Sequence, residues 1–233
     1  MSRRSHRFHI ILLAITLAGL GIRIALCRDF WNLPAAVSPH GGTDMETYLS
    51  YARSILAGDS PRYFYYQPLF YAVYLPSTLF LAGGRVHAVM LFQAVLGAAC
   101  VYLTGLTAAK LYGRRAGLLA AALLAVARVH IFYTPFMLIA VLQSFWMALL
   151  LFIAVAAWRQ NRLCLWGLGA CITSAAILTR GNALLLAPGF VALFVWRNRA
   201  ARWRVALPVL LLLLLIEIPQ LPFAIANFRH YGR

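Results

Sequence analysis

The chain carries five carboxylates, and four of them, Asp29, Asp44, Glu46 and Asp59, fall within residues 28–86. Against 21 Lys and Arg residues, acids this scarce and this clustered mark one stretch as the place for chemistry. Its sharpest piece is GGTDMETYLSYARSILAG, residues 41–58. Gly41 and Gly42 break the chain, and Thr43 with Glu46 fits the Ser/Thr-x-x-Glu capping box of a helix N-terminus. Leu49, Ala52, Ile55 and Leu56 then supply an apolar helical face before Gly58 ends it. An acidic first turn favours the positive end of a helix, and the box accounts for Glu46. Asp44, at the first helical position, keeps its carboxylate free. A free carboxylate can take a proton from a hydroxyl, so helix-end electrostatics and acid–base chemistry both remain open at Asp44. Asp44 and Glu46 with a further partner can also hold a divalent ion. No metal-type cluster or cofactor motif is visible, so neither a metal nor a cofactor is expected.

The elements that must position these residues are membrane helices. Of the 233 residues, 63% are apolar and 11% charged, against about 45–50% and about 25% in soluble domains. The expected fold is all-α: a polytopic helical membrane protein, built as one module over 1–233. Seven transmembrane segments are expected, at 8–27, 87–109, 116–134, 135–158, 163–179, 181–196 and 205–226. A further run, 68–82, is short, aromatic and interrupted by Pro68 and Pro76. The positive-inside rule decides its place. With 68–82 outside, the basic clusters at 1–7, 110–115, 159–162 and 197–204 all fall on the cytoplasmic side with the N-terminus. Residues 28–86 then form one long first extracytoplasmic loop, with 68–82 a helix in or on the outer interface.

The net charge of +16 would point to nucleic acid in a soluble protein. Here the arginines sit in short gaps between apolar runs, so the partner is the bilayer and no nucleic acid is expected. Cys27, Cys100, Cys164 and Cys171 have no metal-type spacing and read as small apolar residues. Small residues along 94–109 and 116–127 allow close helix packing in lipid. Glu217, alone in a run of leucines, is costly there and marks a functional position without an assigned role.

The string D-x-x-x-Y-x-x-x-A-x-x-x-x-x-G, here Asp44, Tyr48, Ala52 and Gly58, followed by Pro68-Leu69-Phe70-Tyr71, resembles the first outer loop of GT-C glycosyltransferases. These include protein O-mannosyltransferases, aminoarabinose transferases and their bacterial relatives. KLYGRRAG at 110–117, LTRGNALLLAP at 178–188 and PQLPFAIANFRHYG at 219–232 agree in order and spacing. The resemblance implies transfer of a sugar from a polyprenyl-phosphate donor to an acceptor hydroxyl on a glycan, lipid or protein. Transfer would occur at the extracytoplasmic face of a bacterial plasma membrane, with inversion at the anomeric carbon. It makes Asp44 the catalytic base and Arg180 a candidate for the donor phosphate. Arg85 and His87 are further phosphate candidates, with interfacial anchoring as the alternative. Tyr48, Tyr65 and Tyr66 are candidate substrate contacts, although aromatics such as Tyr63, Phe64 and Tyr71 also make an interface belt.

Two departures shape the alternatives. The family usually places a second acid at the outer start of the fourth span, where this chain reads FMLIAVLQ at 136–143. The family also continues beyond the stretch that ends here at Arg233, so the expected chain is the N-terminal half of the module, with a possible second chain supplying the rest. A non-catalytic accessory protein that binds the lipid-phosphate sugar is therefore the second functional class. A small transporter is third, because it would place ionisable groups near the bilayer midplane and only Glu217 qualifies.

Overall fold

The computed structural model describes residues 3–59, 64 and 67–232, with side chains described for all of these except 3–5, 201 and 202. Helix α1 (Arg3–Asp29) leads into two short loop helices, α2 (Pro34–Val37) and α3 (Asp44–Leu56). A π-helical turn, Leu69–Tyr74, runs into α4 (Leu75–Leu81), and then come α5 (Val86–Tyr112), α6 (Arg114–Ala125) and α7 (Arg128–Phe132). The remainder is α8 (Ile139–Gln160), α9 (Leu163–Thr179), α10 (Leu186–Arg197), α11 (Ala206–Glu217) and α12 (Leu221–Tyr231). Short 3-10 turns at Gly181–Leu185, Arg199–Val205 and Ile218–Gln220 lead into the last three. The fold is all-helical and polytopic, as expected.

Among the described residues, four helical stretches are long and apolar enough to cross a membrane: His6–Asp29, Val86–Tyr112, Ile139–Gln160 and Trp203–Tyr231. Leu163–Thr179 and Gly181–Arg197 are apolar but shorter. The expected span over 116–134 is not a continuous helix. α6 ends at Ala125, and at 1.5 Å per residue its 12 residues rise only about 18 Å. A break at Val126–Ala127 and the five-residue α7 follow, then irregular backbone to Leu138. Such backbone is tolerated at membrane depth only where protein satisfies its polar groups. Here Gln93 Nε2 donates to the Phe136 carbonyl at 2.8 Å, and Arg23 donates to the Ala125 carbonyl at 3.4 Å.

α5 packs against α1, α4, α6 and α8. The small-residue runs serve this packing as expected. A Cβ on Gly117 would stand 2.6 Å from the Gly105 carbonyl oxygen, and one on Gly105 would meet Leu12 and Ala121. On the other side, α9 packs against α8, α10 and α11 over a core centred on Trp166, Phe190 and Phe194.

The stretch after α1 is a packed structure. Phe70, Tyr71, Leu75 and Leu79 are fully buried against α3, the start of α5, and Met137 and Leu142 beside α8. Residues 68–82 therefore face the bundle on one side, while Phe80 and Leu81 stay exposed on the other. Gly83 and Gly84, at φ 60° and 80°, close α4 in a Schellman motif, with the Gly84 N–H on the Leu79 carbonyl at 2.8 Å.

Candidate functional site

Thr43 caps α3, its hydroxyl accepting the Glu46 N–H at 3.3 Å and donating to the His40 carbonyl at 2.8 Å. The Thr43 half of the expected capping box thus forms, while among the described residues no bond joins the Thr43 N–H to the Glu46 carboxylate. The buried face of α3 is Met45, Tyr48, Leu49 and Ala52, one turn earlier than the expected Leu49–Leu56 face. Leu56 is exposed. Asp44 is exposed at the first helical position. Two residues on, about 200° around the helix, Glu46 leaves on the far side, beside Ser38, Pro39, Ser50 and Arg53. The two carboxylates do not converge, and among the described residues no three His, Cys, Asp or Glu side chains form a metal-type group.

Tyr48 lies one turn after Asp44 and marks where the loop meets the bundle. Its ring stacks on Tyr71 (6.2 Å, 4°) and meets Phe70 edge-on (5.2 Å), and its hydroxyl donates to Gln67 Oε1. Gln67 itself adopts a left-handed φ of 66°. Burial, and then the Asp44 carboxylate, push the Tyr48 phenol above its ordinary range, while Arg180 pulls it back. Asp44 and Arg180, 136 positions apart in sequence, therefore both act on one phenol. Arg180 is exposed at the end of α9, where Thr179 accepts the Trp146 indole N–H at 3.0 Å.

The other candidates separate. His87 stacks on Trp31 (4.3 Å, 22°) and its Nε2 bonds the Trp31 carbonyl at 2.9 Å, so it ties α5 to the segment after α1. Arg85 is exposed at the start of α5. Tyr63, Tyr65 and Tyr66 lie outside the described residues. Glu217 is exposed at the end of α11.

Two adjoining cavities complete the site. One, of about 360 Å³, is lined by Arg180 together with Ala127, His130, Tyr133, Gln143 and Ser144. The other, of about 690 Å³, is mostly apolar and shares His130, Gln143 and Ser144 with the first. It runs along α8 from Gln143 to Ala154, a rise of about 16 Å, between α5 and α10. Beside their junction the Arg23 side chain is fully buried. Its guanidinium donates to the Gly19 carbonyl at 2.8 Å and to His130 Nδ1 at 2.9 Å.

A model of the dolichyl-phosphate-mannose-protein mannosyltransferase family matches residues 66–225, most of the chain. The chain belongs to that family. As a member of the dolichyl-phosphate-mannose-protein mannosyltransferases it is a membrane glycosyltransferase of GT-C type, as the resemblance implied. Comparisons with curated proteins and with solved structures give no match. Within this mannosyltransferase-family match lie Arg85, His87, His130 and Arg180, whereas Asp44, Glu46 and Tyr48 precede it.

Sequence reasoning about this glycosyltransferase passed over Arg23, Gln93 and His130. One signal was available: Arg23 and Gln93 each interrupt an apolar run, and polar groups inside spans are retained for a reason.

Proposed function

We propose that this glycosyltransferase moves a sugar from a polyprenyl-phosphate donor to an acceptor hydroxyl on the extracytoplasmic side of a bacterial plasma membrane, with inversion. The observation that carries the proposal is Arg180 in the lining of a cavity that adjoins an apolar groove along α8, with the charges of Asp44 and Arg180 both felt at the Tyr48 phenol. The groove suits an isoprenoid chain, because its wall is apolar over about 16 Å of rise along α8. The cavity suits the phosphate, with Arg180 in its lining. Asp44 takes the proton of the acceptor hydroxyl as its oxygen attacks the anomeric carbon. The bond from that carbon to the phosphate oxygen breaks, and the polyprenyl phosphate leaves with the electron pair. Arg180 stabilises the charge that gathers on the leaving phosphate. Tyr48 keeps α3 seated on Tyr71. The distribution of arginine supports the orientation: Lys110, Arg114, Arg115, Arg159, Arg162, Arg197 and Arg199 flank the helix ends opposite α3.

The test supplies radiolabelled polyprenyl-phosphate sugar to membranes containing the wild-type chain or Asp44→Asn. Transfer by the wild type that falls at least about a hundredfold in the variant supports Asp44 as base. Donor binding without transfer by either protein supports the accessory role instead. Equal transfer by both removes Asp44 from the mechanism.

A further inference from the structure

Arg23 is a cation without a counter-ion among the described residues. Its guanidinium is fully buried in α1, six residues, or about 9 Å of rise, before the end of that helix. Gly97 makes room for it: a Cβ there would stand 2.6 Å from Arg23 Nε and 2.9 Å from Cδ. Its hydrogen-bond partners are the Gly19 and Ala125 carbonyls and His130 Nδ1, all uncharged, and its Nε has no partner among the described residues. A buried positive charge left this way is costly, and an anion close by offsets the cost. The Ala125 carbonyl at the C-terminal end of α6 supplies only a partial negative charge.

The contact with His130 sets the tautomer of that ring. A guanidinium has donors and no acceptor. His130 Nδ1, 2.9 Å from Arg23 Nη2, must therefore accept, and the ring proton sits on Nε2. That Nε2 is buried, has no partner among the described residues, and belongs to a side chain in the wall shared by both cavities. Gln143 Oε1, in the same wall, is also without a partner among the described residues. The Ser144 hydroxyl spends its proton on the Ala140 carbonyl at 2.8 Å, leaving lone pairs only. The His130 N–H, set between an arginine-lined cavity and an apolar groove and backed by a cation with no counter-ion among the described residues, suits an anionic oxygen joined to an apolar chain, whereas the Gln143 and Ser144 lone pairs suit a hydroxyl beside it.

The geometry points to His130 as a phosphate-binding residue for the polyprenyl-phosphate donor, its Nε2–H donating to a phosphate oxygen and Arg23 acting as the positioning residue that holds the tautomer. This deepens the proposed function and rests on it. Arg180 meets the phosphate from the open side of the cavity, and His130 meets it from the bundle.

The test uses the full chain in nanodiscs of neutral lipid and measures binding of radiolabelled polyprenyl monophosphate, together with donor KM and kcat in the transfer assay. His130→Phe, which keeps a ring and loses the donor, is expected to weaken binding and raise KM roughly ten- to hundredfold with kcat little changed, the range for a hydrogen bond to a charged group. His130→Gln, which restores an amide N–H, recovers most of that loss and guards against a folding defect in the Phe variant. Nitrogen-15 spectra of histidine-labelled protein, assigned by the signal lost in His130→Gln, show a proton on Nε2 and none on Nδ1. Binding of the Phe variant equal to wild type overturns the inference while leaving the proposed function standing. A Gln variant as weak as the Phe variant, or a proton on Nδ1, also overturns it. Displacement of the label by inorganic phosphate or phosphatidylglycerol as readily as by unlabelled polyprenyl phosphate makes the site a general anion site and refutes the assignment. A wild-type chain that neither binds polyprenyl phosphate nor transfers sugar refutes both proposals.

Discussion

Replacing glycine by alanine at three helical positions adds the same methyl group to three different surroundings. At Gly21 the added Cβ meets nothing within 4 Å. There the expected effect is the helix-propensity gain alone, up to about 1 kcal/mol. At Gly105 it would come 2.4 Å from Leu12 Cδ1, a side-chain tip that can turn away, and 3.1–3.3 Å from Ala121 Cβ and the Gly117 carbonyl oxygen. At Gly117 it would stand 2.6 Å from the Gly105 carbonyl oxygen, 2.6 Å from Ala109 Cβ and 3.0 Å from the Ala109 nitrogen. Two of those three atoms are backbone, so relief requires α5 and α6 to separate. Overpacking of this kind costs about 1–3 kcal/mol, and the propensity gain returns at most about 1 kcal/mol. The expected order of stability is Gly21→Ala highest, then Gly105→Ala, then Gly117→Ala. The last should lie about 1–2 kcal/mol below wild type, or roughly five- to thirtyfold in the folding equilibrium. Reversible unfolding in mixed micelles with increasing SDS, followed by tryptophan fluorescence, measures each variant. A Gly117→Ala protein as stable as Gly21→Ala would show that α5 and α6 do not meet at this pair of glycines.

Asn227 ties α12 to the loop: its Oδ1 accepts the Phe64 N–H at 2.6 Å and its Nδ2 donates to the Phe64 carbonyl at 2.7 Å. Asn227→Leu removes both bonds, each worth about 1 kcal/mol, so hydrogen exchange at the Phe64 amide should rise about tenfold or more while α5 is unaffected. Unchanged exchange would mean that α12 does not hold the loop. The Tyr48 phenol, raised by burial and then by Asp44, should ionise above the ordinary value of about 10. Its contribution to loop stability is complete below that value and is lost as pH rises through the higher folded-state value. The difference at 295 nm between wild type and Tyr48→Phe isolates this titration, and a midpoint at or below about 10 contradicts the burial of the ring.

The legible parts were those in which a residue type has one local use. Thr43 caps α3 because its hydroxyl is the right length for the Glu46 N–H, and a four-residue motif suffices to see it. Small residues along 94–109 and 116–127 forecast close helix packing, and the structure places that packing between α5 and α6. What could not be read was set by partners remote in sequence. Hydropathy treats 116–134 as one apolar run because Val126 and Ala127 are as apolar as their neighbours. The helix stops at Ala125 in a structure where Arg23 and Gln93, on α1 and α5, satisfy carbonyls on either side of the break. The buried face of α3 was placed a turn late because Tyr48 counts as amphipathic by type and becomes apolar through its stacking on Tyr71. His87 carries the right chemistry for a phosphate, yet its ring is stacked on Trp31 and its Nε2 is bonded to the Trp31 carbonyl, a contact 56 positions away.

The break in the third apolar run and the buried arginine explain one another. A continuous helix there would bond its own carbonyls and leave Arg23 facing apolar side chains. Because α6 ends early, the Ala125 carbonyl is available to the guanidinium, and α7 brings His130 within 2.9 Å of it. The same interruption leaves room for the cavity lined by Arg180, since Ala127, Val129 and Tyr133 form one of its walls. Regular backbone is thus given up between α6 and α8, where Arg23 and His130 meet beside both cavities.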